Sequence, residues 1–251
     1  MSVEAAKRAL ASLDLTNLNE DCDADDIRNL CARAQTPHGP VAAVCIWPQH
    51  VAQAKMILAA TPVRVATVVN FPQGDHPASE VIALTEQAVA DGADEIDMVI
   101  PYKALLEGHP ENVPARVARV KEAADGKRVK AILETGVLKD AELIAQAAKL
   151  AIDGGADFIK TSTGKVTVNA TLISARIMLR AIAEHDPSVG FKPAGGVKTT
   201  DDAEAYLALC DEILGPDWVS PQTFRIGASG VLDALLATLD GREGAVAEGG
   251  Y

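Results

Sequence analysis

The chain has 251 residues, of which 48% are hydrophobic and 23% are charged, and its formal net charge is -12. This length is typical of one (β/α)8 barrel and is sufficient to bury one large core. The negative charge disfavours nucleic-acid binding, because a phosphate backbone requires a basic surface patch and the sequence has no cluster of lysine or arginine to supply one.

Membrane insertion and secretion are also disfavoured. No apolar run approaches ~18 residues, and the N-terminus MSVEAAKRAL carries an acid early and lacks an apolar signal core. We therefore expect a cytoplasmic protein without a membrane partner. The four cysteines have no CxxC spacing and the five histidines have no HExxH spacing, so neither a disulfide framework nor a metal site is predicted.

Residues 1–36 are predicted to form N-terminal helices outside the barrel. The stretch DLTNLN at residues 14–19 is rich in residues that cap helices, and it divides this segment into two pieces. After residue 40 the pattern changes, and short β-branched runs alternate with longer helical ones. The runs predicted as strands span residues 41–47, 63–69, 95–100, 129–134, 158–162, 189–193, 211–214 and 224–228.

Helical periodicity separates these runs, with apolar residues at every third or fourth position in segments such as 79–91 and 140–153. Alternating strands and helices predict a parallel sheet, and eight such units favour a closed barrel over an open sheet. Residues 215–223 are the weak point, because they are too few for a covering helix between the last two predicted strands. The expected architecture is one α/β domain over residues 1–251, a (β/α)8 TIM barrel with an N-terminal helical extension and a flexible tail at residues 241–251.

Four consecutive predicted strands each carry a charged residue inside an apolar run. A GAD sequence precedes both the third and the fifth of the predicted strands, and aligning the two copies places Asp97 and Lys160 at the same position. Side chains of alternate barrel strands share a layer, so this register brings the two groups to one interior level. The strand between them contributes Lys130, and the next strand contributes Lys192. Each residue alone is compatible with a snorkelling lysine or a buried ion pair, but together they predict a site at the C-terminal ends of the strands.

Two neighbouring lysines explain how one of them could act as a nucleophile at neutral pH. A free lysine has a pKa near 10.4, and burial or a second cation lowers that value. Lys192 is therefore predicted to activate Lys160, and Asp97 is predicted to transfer protons within the group. A neutral amine, an assisting cation and a carboxylate, with no metal or cofactor predicted, favour carbon–carbon bond chemistry through a Schiff base.

Glycine-rich loops after the last predicted strands indicate a phosphate site. Gly195 and Gly196 follow the sixth of these strands, and Gly227 and Ser229 lie where the eighth leads into the final helix. Backbone N–H groups and a helix N-terminus in such loops can bind an anion. The alternative is that the glycines only form turns and that Ser229 is an ordinary helix N-cap. The neighbouring TSTGK loop adds a glycine and a lysine, which favours the phosphate interpretation.

Several motifs resemble those of the deoxyribose-phosphate aldolase family, in order and spacing, from about residue 10 to the C-terminus. The matching stretches are DLTNLN, AAVCIWP, ADEIDMVIPY at 93–102, ETG at 134–136, FIKTSTGK at 158–165 and GFKPAGG at 190–196. The resemblance implies a class I aldolase barrel in which Lys160 forms a Schiff base with acetaldehyde, while Lys192 and Asp97 transfer protons. The substrate contacts that it implies would come from Lys130, Thr163, Gly164, Lys165, Gly195, Gly196, Gly227 and Ser229.

The last residue of the chain, Tyr251, follows a segment rich in glycine and small residues. Such an end is by default a solvated tail. In the family that the chain resembles, however, the C-terminal tyrosine assists proton transfer at the active site. The resemblance therefore implies a catalytic role for Tyr251.

The expected reaction is the reversible cleavage of 2-deoxy-D-ribose 5-phosphate to D-glyceraldehyde 3-phosphate and acetaldehyde. Two other interpretations stay open: another barrel enzyme of sugar phosphates, such as a transaldolase or an isomerase, and a non-catalytic sugar-phosphate-binding protein. The expected partners are small sugar phosphates and aldehydes. The sequence leaves the oligomeric state open, with a homodimer as one option.

Overall fold

Eight parallel strands form the centre of the computed structural model, which describes residues 1–242. In chain order they are β1 (Leu13–Asn17), β2 (Ala43–Ile46), β3 (Arg64–Val69), β4 (Glu95–Val99), β5 (Arg128–Ile132), β6 (Phe158–Lys160), β7 (Gly190–Lys192) and β8 (Ile226–Ala228). Each strand from β1 to β6 pairs with the next one, and β1 also pairs with β8. The predicted (β/α)8 fold is confirmed.

Helices cover the outside of this barrel. They are α1 (Val3–Ala11), α2 (Ala24–Arg33), α3 (Val51–Ile57), α4 (Ala78–Ala90), α5 (Tyr102–Leu106), α6 (Asn112–Ala123), α7 (Thr135–Leu138), α8 (Ala141–Asp153), α9 (Leu172–His185), α10 (Thr200–Leu214) and α11 (Val231–Leu239). In α8 the buried residues Ile144, Ala147, Ala148 and Ala151 recur at helical spacing, so one face packs inward. Within residues 1–242, no helix combines the length and the apolar character that crossing a bilayer requires.

The prediction that residues 1–36 lie outside the barrel as helices is wrong in one respect. Residues 13–17, most of which belong to the break predicted at 14–19, form the first barrel strand. Their polar side chains resemble helix caps in the sequence, but Asp14 is fully buried among charged groups inside the barrel. The N-terminal extension is therefore α1, and α2 is the helix that follows β1 in the barrel.

The prediction of a strand at residues 211–214 is also wrong. These residues form the last turn of α10, where the side chain of Asp211 accepts hydrogen bonds from Arg8 in α1. The weak point predicted at residues 215–223 follows from this error, because α10 itself covers the connection from β7 to β8. The other predicted strands correspond to β2–β8.

The barrel closes between β7 and β8 through isolated backbone bridges. Phe191 pairs with Phe224, and Ala194 pairs with Gly227. A Cβ atom on Gly227 would lie 2.9 Å from Cβ of Ala194 and 3.0 Å from Cε of Lys192. Glycine at this position therefore allows the two strands to approach each other beside a predicted catalytic lysine.

Candidate active site

A single carboxylate joins three lysines at the centre of the barrel. Oδ2 of Asp97 accepts hydrogen bonds from Nζ of Lys160 at 2.9 Å and from Nζ of Lys192 at 2.7 Å. Its Oδ1 accepts one from Nζ of Lys130 at 2.7 Å. Asp97 is fully buried, and the three lysines are at most 3% exposed. The expectation that Asp97 and Lys160 meet inside the barrel is confirmed.

The strand register explains how these side chains reach one another. Lys160 pairs with Lys192 across β6 and β7, whereas Asp97 pairs with Lys130 across β4 and β5. Lys160 also pairs with Ile132, which lies two residues after Lys130 on β5. In the strand register, the Asp97 backbone is therefore offset from the Lys160 backbone by two residues toward the N-terminal ends of the strands. The stagger of a closed barrel accommodates this offset and lets the long lysine side chains converge on the carboxylate.

Lys130 lies deeper in the barrel than the other two lysines. Its Nζ is 2.6 Å from Oε2 of Glu95, 2.7 Å from Oδ1 of Asp97 and 3.4 Å from Oδ2 of Asp14. These three carboxylates surround the ammonium group, and the residue is 0% exposed. The geometry therefore makes Lys130 a support for Asp97, and the substrate contact that the resemblance implied for Lys130 stays a prediction.

Three further charged residues complete this buried network, and sequence reasoning missed all of them. Asp14 accepts hydrogen bonds from Lys192 at 2.6 Å and from Arg225 at 2.6 Å. Glu95 accepts two from Arg225, at 2.7 and 3.0 Å. Glu95 and Arg225 both lie within runs that were predicted as strands, so a charge inside an apolar run was the signal that could have identified them. Asp14 lies between two leucines in the strand that was not recognised.

The environment shifts the pKa values of the two catalytic candidates in opposite directions. Burial lowers the pKa of Lys160; the Asp97 carboxylate opposes that effect and the charge of Lys192 reinforces it, so the pKa lies below its usual value. Burial would also lower the pKa of Lys192, but attraction to Asp14 and Asp97 outweighs it and raises the pKa. Lys160 is therefore the lysine that loses its proton more easily, and Lys192 stays protonated at neutral pH.

The low pKa of Asp97 keeps it ionised. Burial would raise the pKa of this carboxyl group, but the charges of Lys130, Lys160 and Lys192 outweigh burial and hold it well below its usual value. Asp97 therefore remains a carboxylate at neutral pH and acts as the common acceptor for three ammonium groups.

The loops that follow β6, β7 and β8 lie together at the C-terminal end of the barrel. Gly195 N donates to the carbonyl of Gly227 at 3.3 Å, and Ala170 N donates to the carbonyl of Gly195 at 3.3 Å. Gly164 and Gly196 have positive φ angles of 84° and 87°. The structure thus brings together the backbone of the loops that were predicted to bind phosphate.

Two residues predicted at this phosphate site, Lys165 and Ser229, also lie near other parts of the structure that bear on their roles. Nζ of Lys165 donates a hydrogen bond to the carbonyl of Leu18 at 2.8 Å. Gly230, not Ser229, is the N-cap of α11, and no side chain caps that helix. The interpretation of Ser229 as an ordinary N-cap is therefore wrong. Tyr251 lies outside the described residues.

Comparison with known proteins identifies the family. Residues 8–213 match the family described as DeoC/LacD family aldolase. The chain belongs to this aldolase family. A relative named deoxyribose-phosphate aldolase, from Agrobacterium fabrum, shares 54% identity over 250 residues, which cover 99% of this chain and 96% of the relative.

Two solved structures have the same fold as this chain. The structure of a candidate deoxyribose-phosphate aldolase from Toxoplasma gondii ME49 superposes with a TM-score of 0.88 at 22% identity and covers 95% of each chain. The deoxyribose phosphate aldolase from Aeropyrum pernix, described as a tetramer, superposes with a TM-score of 0.78 at 23% identity and covers 94% of this chain and 95% of its own. At these identities, the two structures support the barrel fold.

Proposed function

We propose that this member of the DeoC/LacD aldolase family cleaves 2-deoxy-D-ribose 5-phosphate reversibly to D-glyceraldehyde 3-phosphate and acetaldehyde. The observation that carries the proposal is a buried lysine, Lys160, whose pKa is lowered and whose Nζ lies 2.9 Å from a carboxylate that also binds Lys192. The 54% identity to a relative of that name over nearly the full length supports the choice of substrate.

In the synthetic direction, the first step forms a Schiff base on Lys160. The neutral amine adds to the carbonyl carbon of acetaldehyde, and the carbinolamine oxygen takes a proton from the Lys192 ammonium and leaves as water. The resulting iminium ion carries its positive charge at the nitrogen atom of Lys160. Asp97, already hydrogen-bonded to that nitrogen in the free protein, stabilises the new cation without rearrangement.

The second step forms the carbon–carbon bond. Lys192, now neutral, takes up the proton that leaves the methyl carbon of the iminium, with Asp97 as the bridge between the two nitrogen atoms. The enamine carbon attacks the aldehyde carbon of D-glyceraldehyde 3-phosphate, and the aldehyde oxygen takes the proton back. Hydrolysis of the product iminium frees the sugar and restores the amine of Lys160.

The phosphate end of the substrate is proposed to bind at the loops after β6, β7 and β8. The N–H groups of Gly195 and Gly227 donate to the carbonyls of Gly227 and Pro193, and the Thr163 hydroxyl donates to Glu134, so these three residues are proposed to shape the site. The proposed donors to the phosphate are the backbone N–H groups of Gly164 and Gly196 and the side chains of Lys165 and Ser229. The protein as a whole is negatively charged, so these donors provide the local attraction that a dianionic group requires. Tyr251 is proposed to assist proton transfer.

We also propose that the reaction requires no metal and takes place in the cytoplasm. The buried lysines and Asp97 supply both the electrophilic activation and the proton transfer that a metal would otherwise provide. All four cysteines are free thiols, as is usual for proteins of reducing compartments.

Turnover of 2-deoxy-D-ribose 5-phosphate in the presence of a metal chelator tests this function. We expect equal amounts of acetaldehyde and D-glyceraldehyde 3-phosphate, at a rate that the chelator leaves unchanged. An isomeric pentose phosphate as the only product would indicate an isomerase. Binding of the sugar phosphate without turnover would indicate a non-catalytic binding protein, and either result would overturn the proposal.

A further inference from the structure

Glu134 has a backbone conformation that is unusual for its residue type. It follows β5 with φ 58° and ψ 55°, in the left-handed region that residues with a Cβ atom seldom adopt. Glycine would adopt this conformation without steric cost. Because the position carries glutamate instead of glycine, we expect the glutamate side chain to have a specific role.

The backbone on each side of Glu134 is bonded to the strand end that carries Lys160. Leu133 N donates to the carbonyl of Lys160 at 2.9 Å, and Thr135 N donates to the carbonyl of Thr161 at 2.9 Å. Two donors that are two residues apart therefore bind acceptors that are one residue apart, and Glu134 is the extra residue of a bulge. Bulges often occur beside active sites, where they redirect a side chain.

The Glu134 side chain is directed at one residue of the loop after β6. Its Oε1 accepts a hydrogen bond from Thr163 N at 3.1 Å, and its Oε2 accepts one from Thr163 Oγ1 at 2.6 Å. The same hydroxyl accepts a hydrogen bond from Lys165 N at 3.0 Å. Glu134 is 0% exposed, so water does not compete for these contacts. The carboxylate thereby fixes the turn formed by residues 163–165.

The positive charge of Lys160 also affects the pKa of Glu134. Burial raises the pKa of this carboxyl group, while the two hydrogen bonds from Thr163 and the positive charge of Lys160 oppose that rise. Glu134 is thus flanked by backbone hydrogen bonds to Lys160 and Thr161, while its side chain binds the loop proposed to hold the substrate phosphate.

We propose that Glu134 is a positioning residue that holds the turn 163–165 in the shape that binds the substrate phosphate, and so sets the preference for phosphorylated over unphosphorylated sugar. The proposal rests on the proposed function, because it concerns the same substrate and the same loop. It assigns Glu134 no contact with the substrate and no step in the chemistry.

The first test is Glu134→Gln, which keeps the size of the side chain and removes the charge. An amide presents one oxygen where the carboxylate presents two, so the pair of acceptors for Thr163 is lost. We expect KM for 2-deoxy-D-ribose 5-phosphate to rise about tenfold or more, the effect of losing one charge-assisted hydrogen bond. The kinetic constants for 2-deoxy-D-ribose should stay within about twofold of those of the unaltered protein.

A second variant separates the carboxylate from the backbone conformation. Glu134→Gly adopts the left-handed conformation without strain but offers no acceptor. We expect it to lose the phosphate preference as Glu134→Gln does. If Glu134→Gly keeps that preference, the backbone shape alone positions the loop and the proposal fails. This variant also serves if Glu134→Gln does not fold.

Two further variants control the comparison. Glu142→Gln makes the same chemical change at an exposed position in the first turn of α8, and its kinetics should be unaltered. Thr163→Val removes the hydroxyl that Glu134 binds, so the double variant with Glu134→Gln should show less than the sum of the two single effects. Fully additive effects would mean that Glu134 does not act through Thr163.

The outcomes for Glu134 and for the proposed function are distinguishable. Equal damage by Glu134→Gln to both substrates, or no damage to either, would overturn the positioning role. Failure of the unaltered protein to cleave either sugar would instead overturn the proposed function.

Discussion

Nζ of Lys192 lies 2.6 Å from Oδ2 of Asp14, so the seventh strand of the barrel is hydrogen-bonded to the first at the level of the site. The other oxygen of Asp14 binds Arg225 at 2.6 Å. The barrel is closed between β7 and β8 mainly by isolated bridges, and these buried ion pairs add a side-chain connection across the same region.

Removing Asp14 should therefore destabilise the fold. Asp14→Asn leaves Lys192 and Arg225 with one fewer buried counter-charge, and breaking a buried pair in this way costs about 3 to 5 kcal/mol. Urea denaturation at pH 7 measures the loss in the free energy of unfolding. Asp211→Asn, which removes a partly exposed partner of Arg8, should cost no more than about 1 kcal/mol. An equal loss for the two variants would mean that the buried network contributes no special stability.

The stability of the protein should fall in acid partly because of Glu95. Burial would raise the pKa of this carboxyl group, but Lys130 and Arg225 outweigh it and lower the pKa to about 2 from an ordinary value of 4.5. A carboxylate with a lowered pKa stabilises the fold above its unfolded pKa, and that contribution is lost as the pH falls from about 4.5 to about 2.

Glu95→Gln tests this contribution directly. The variant should be less stable than the unaltered protein at pH 7, and the difference should shrink as the pH falls from about 4.5 toward 2. Urea midpoints measured at a series of pH values give the comparison. A difference that stays constant over this range would show that protonation of Glu95 is not coupled to unfolding.

The pH dependence of Schiff-base formation should report the charge of Lys192. Lys192→Met removes a cation that helps to lower the pKa of Lys160, so the alkaline rise in the rate of adduct formation should move to higher pH. The rate at which acetaldehyde and borohydride label the protein, measured against pH, follows this shift. Lys149→Met, at an exposed lysine paired with Asp153, is the control and should leave the profile in place. A slower rate with an unshifted profile would confine Lys192 to proton transfer.

Gly227→Ala should damage catalysis on phosphorylated and unphosphorylated sugars alike. The added methyl group would lie 3.0 Å from Cε of Lys192, so it displaces a catalytic candidate. Gly196→Val is the contrasting variant. Within residues 1–242, no atom apart from its chain neighbours lies within 4 Å of a Cβ placed there, but the φ of 87° is strained for any residue except glycine. It should raise KM mainly for the phosphorylated sugar. The ratio of kcat/KM for the two sugars, measured for both variants, distinguishes these effects, and equal ratios would contradict the assignment.

The sequence predicted the barrel and the convergence of Asp97 with Lys160, because both depend on repeated patterns along the chain. Asp14 was missed for a physical reason: its buried partners Lys192 and Arg225 come from distant parts of the chain, and a local pattern cannot distinguish such a residue from a helix cap. Residues 211–214 were misassigned because the last turn of α10 contains the short apolar pair Ile213 and Leu214, which resembles a buried strand.

Glu134 illustrates a different limit. The motif ETG was noticed only as a point of resemblance, since nothing local indicates that its glutamate has a left-handed backbone or that its carboxylate binds a residue 29 positions away. Lys130 was correctly placed in the barrel, but its depth depends on carboxylates contributed by β1 and β4. Such relationships arise only when the strands close around one another.

Covalent trapping tests the central claim most directly. Borohydride added with acetaldehyde should leave one reduced two-carbon group on Nζ of Lys160, identified by mass spectrometry of the digested protein, and Lys160→Leu should remain unlabelled. Labelling of Lys192 or Lys130 in place of Lys160, or no labelling while turnover continues, would contradict the assignment of Lys160 as the Schiff-base residue.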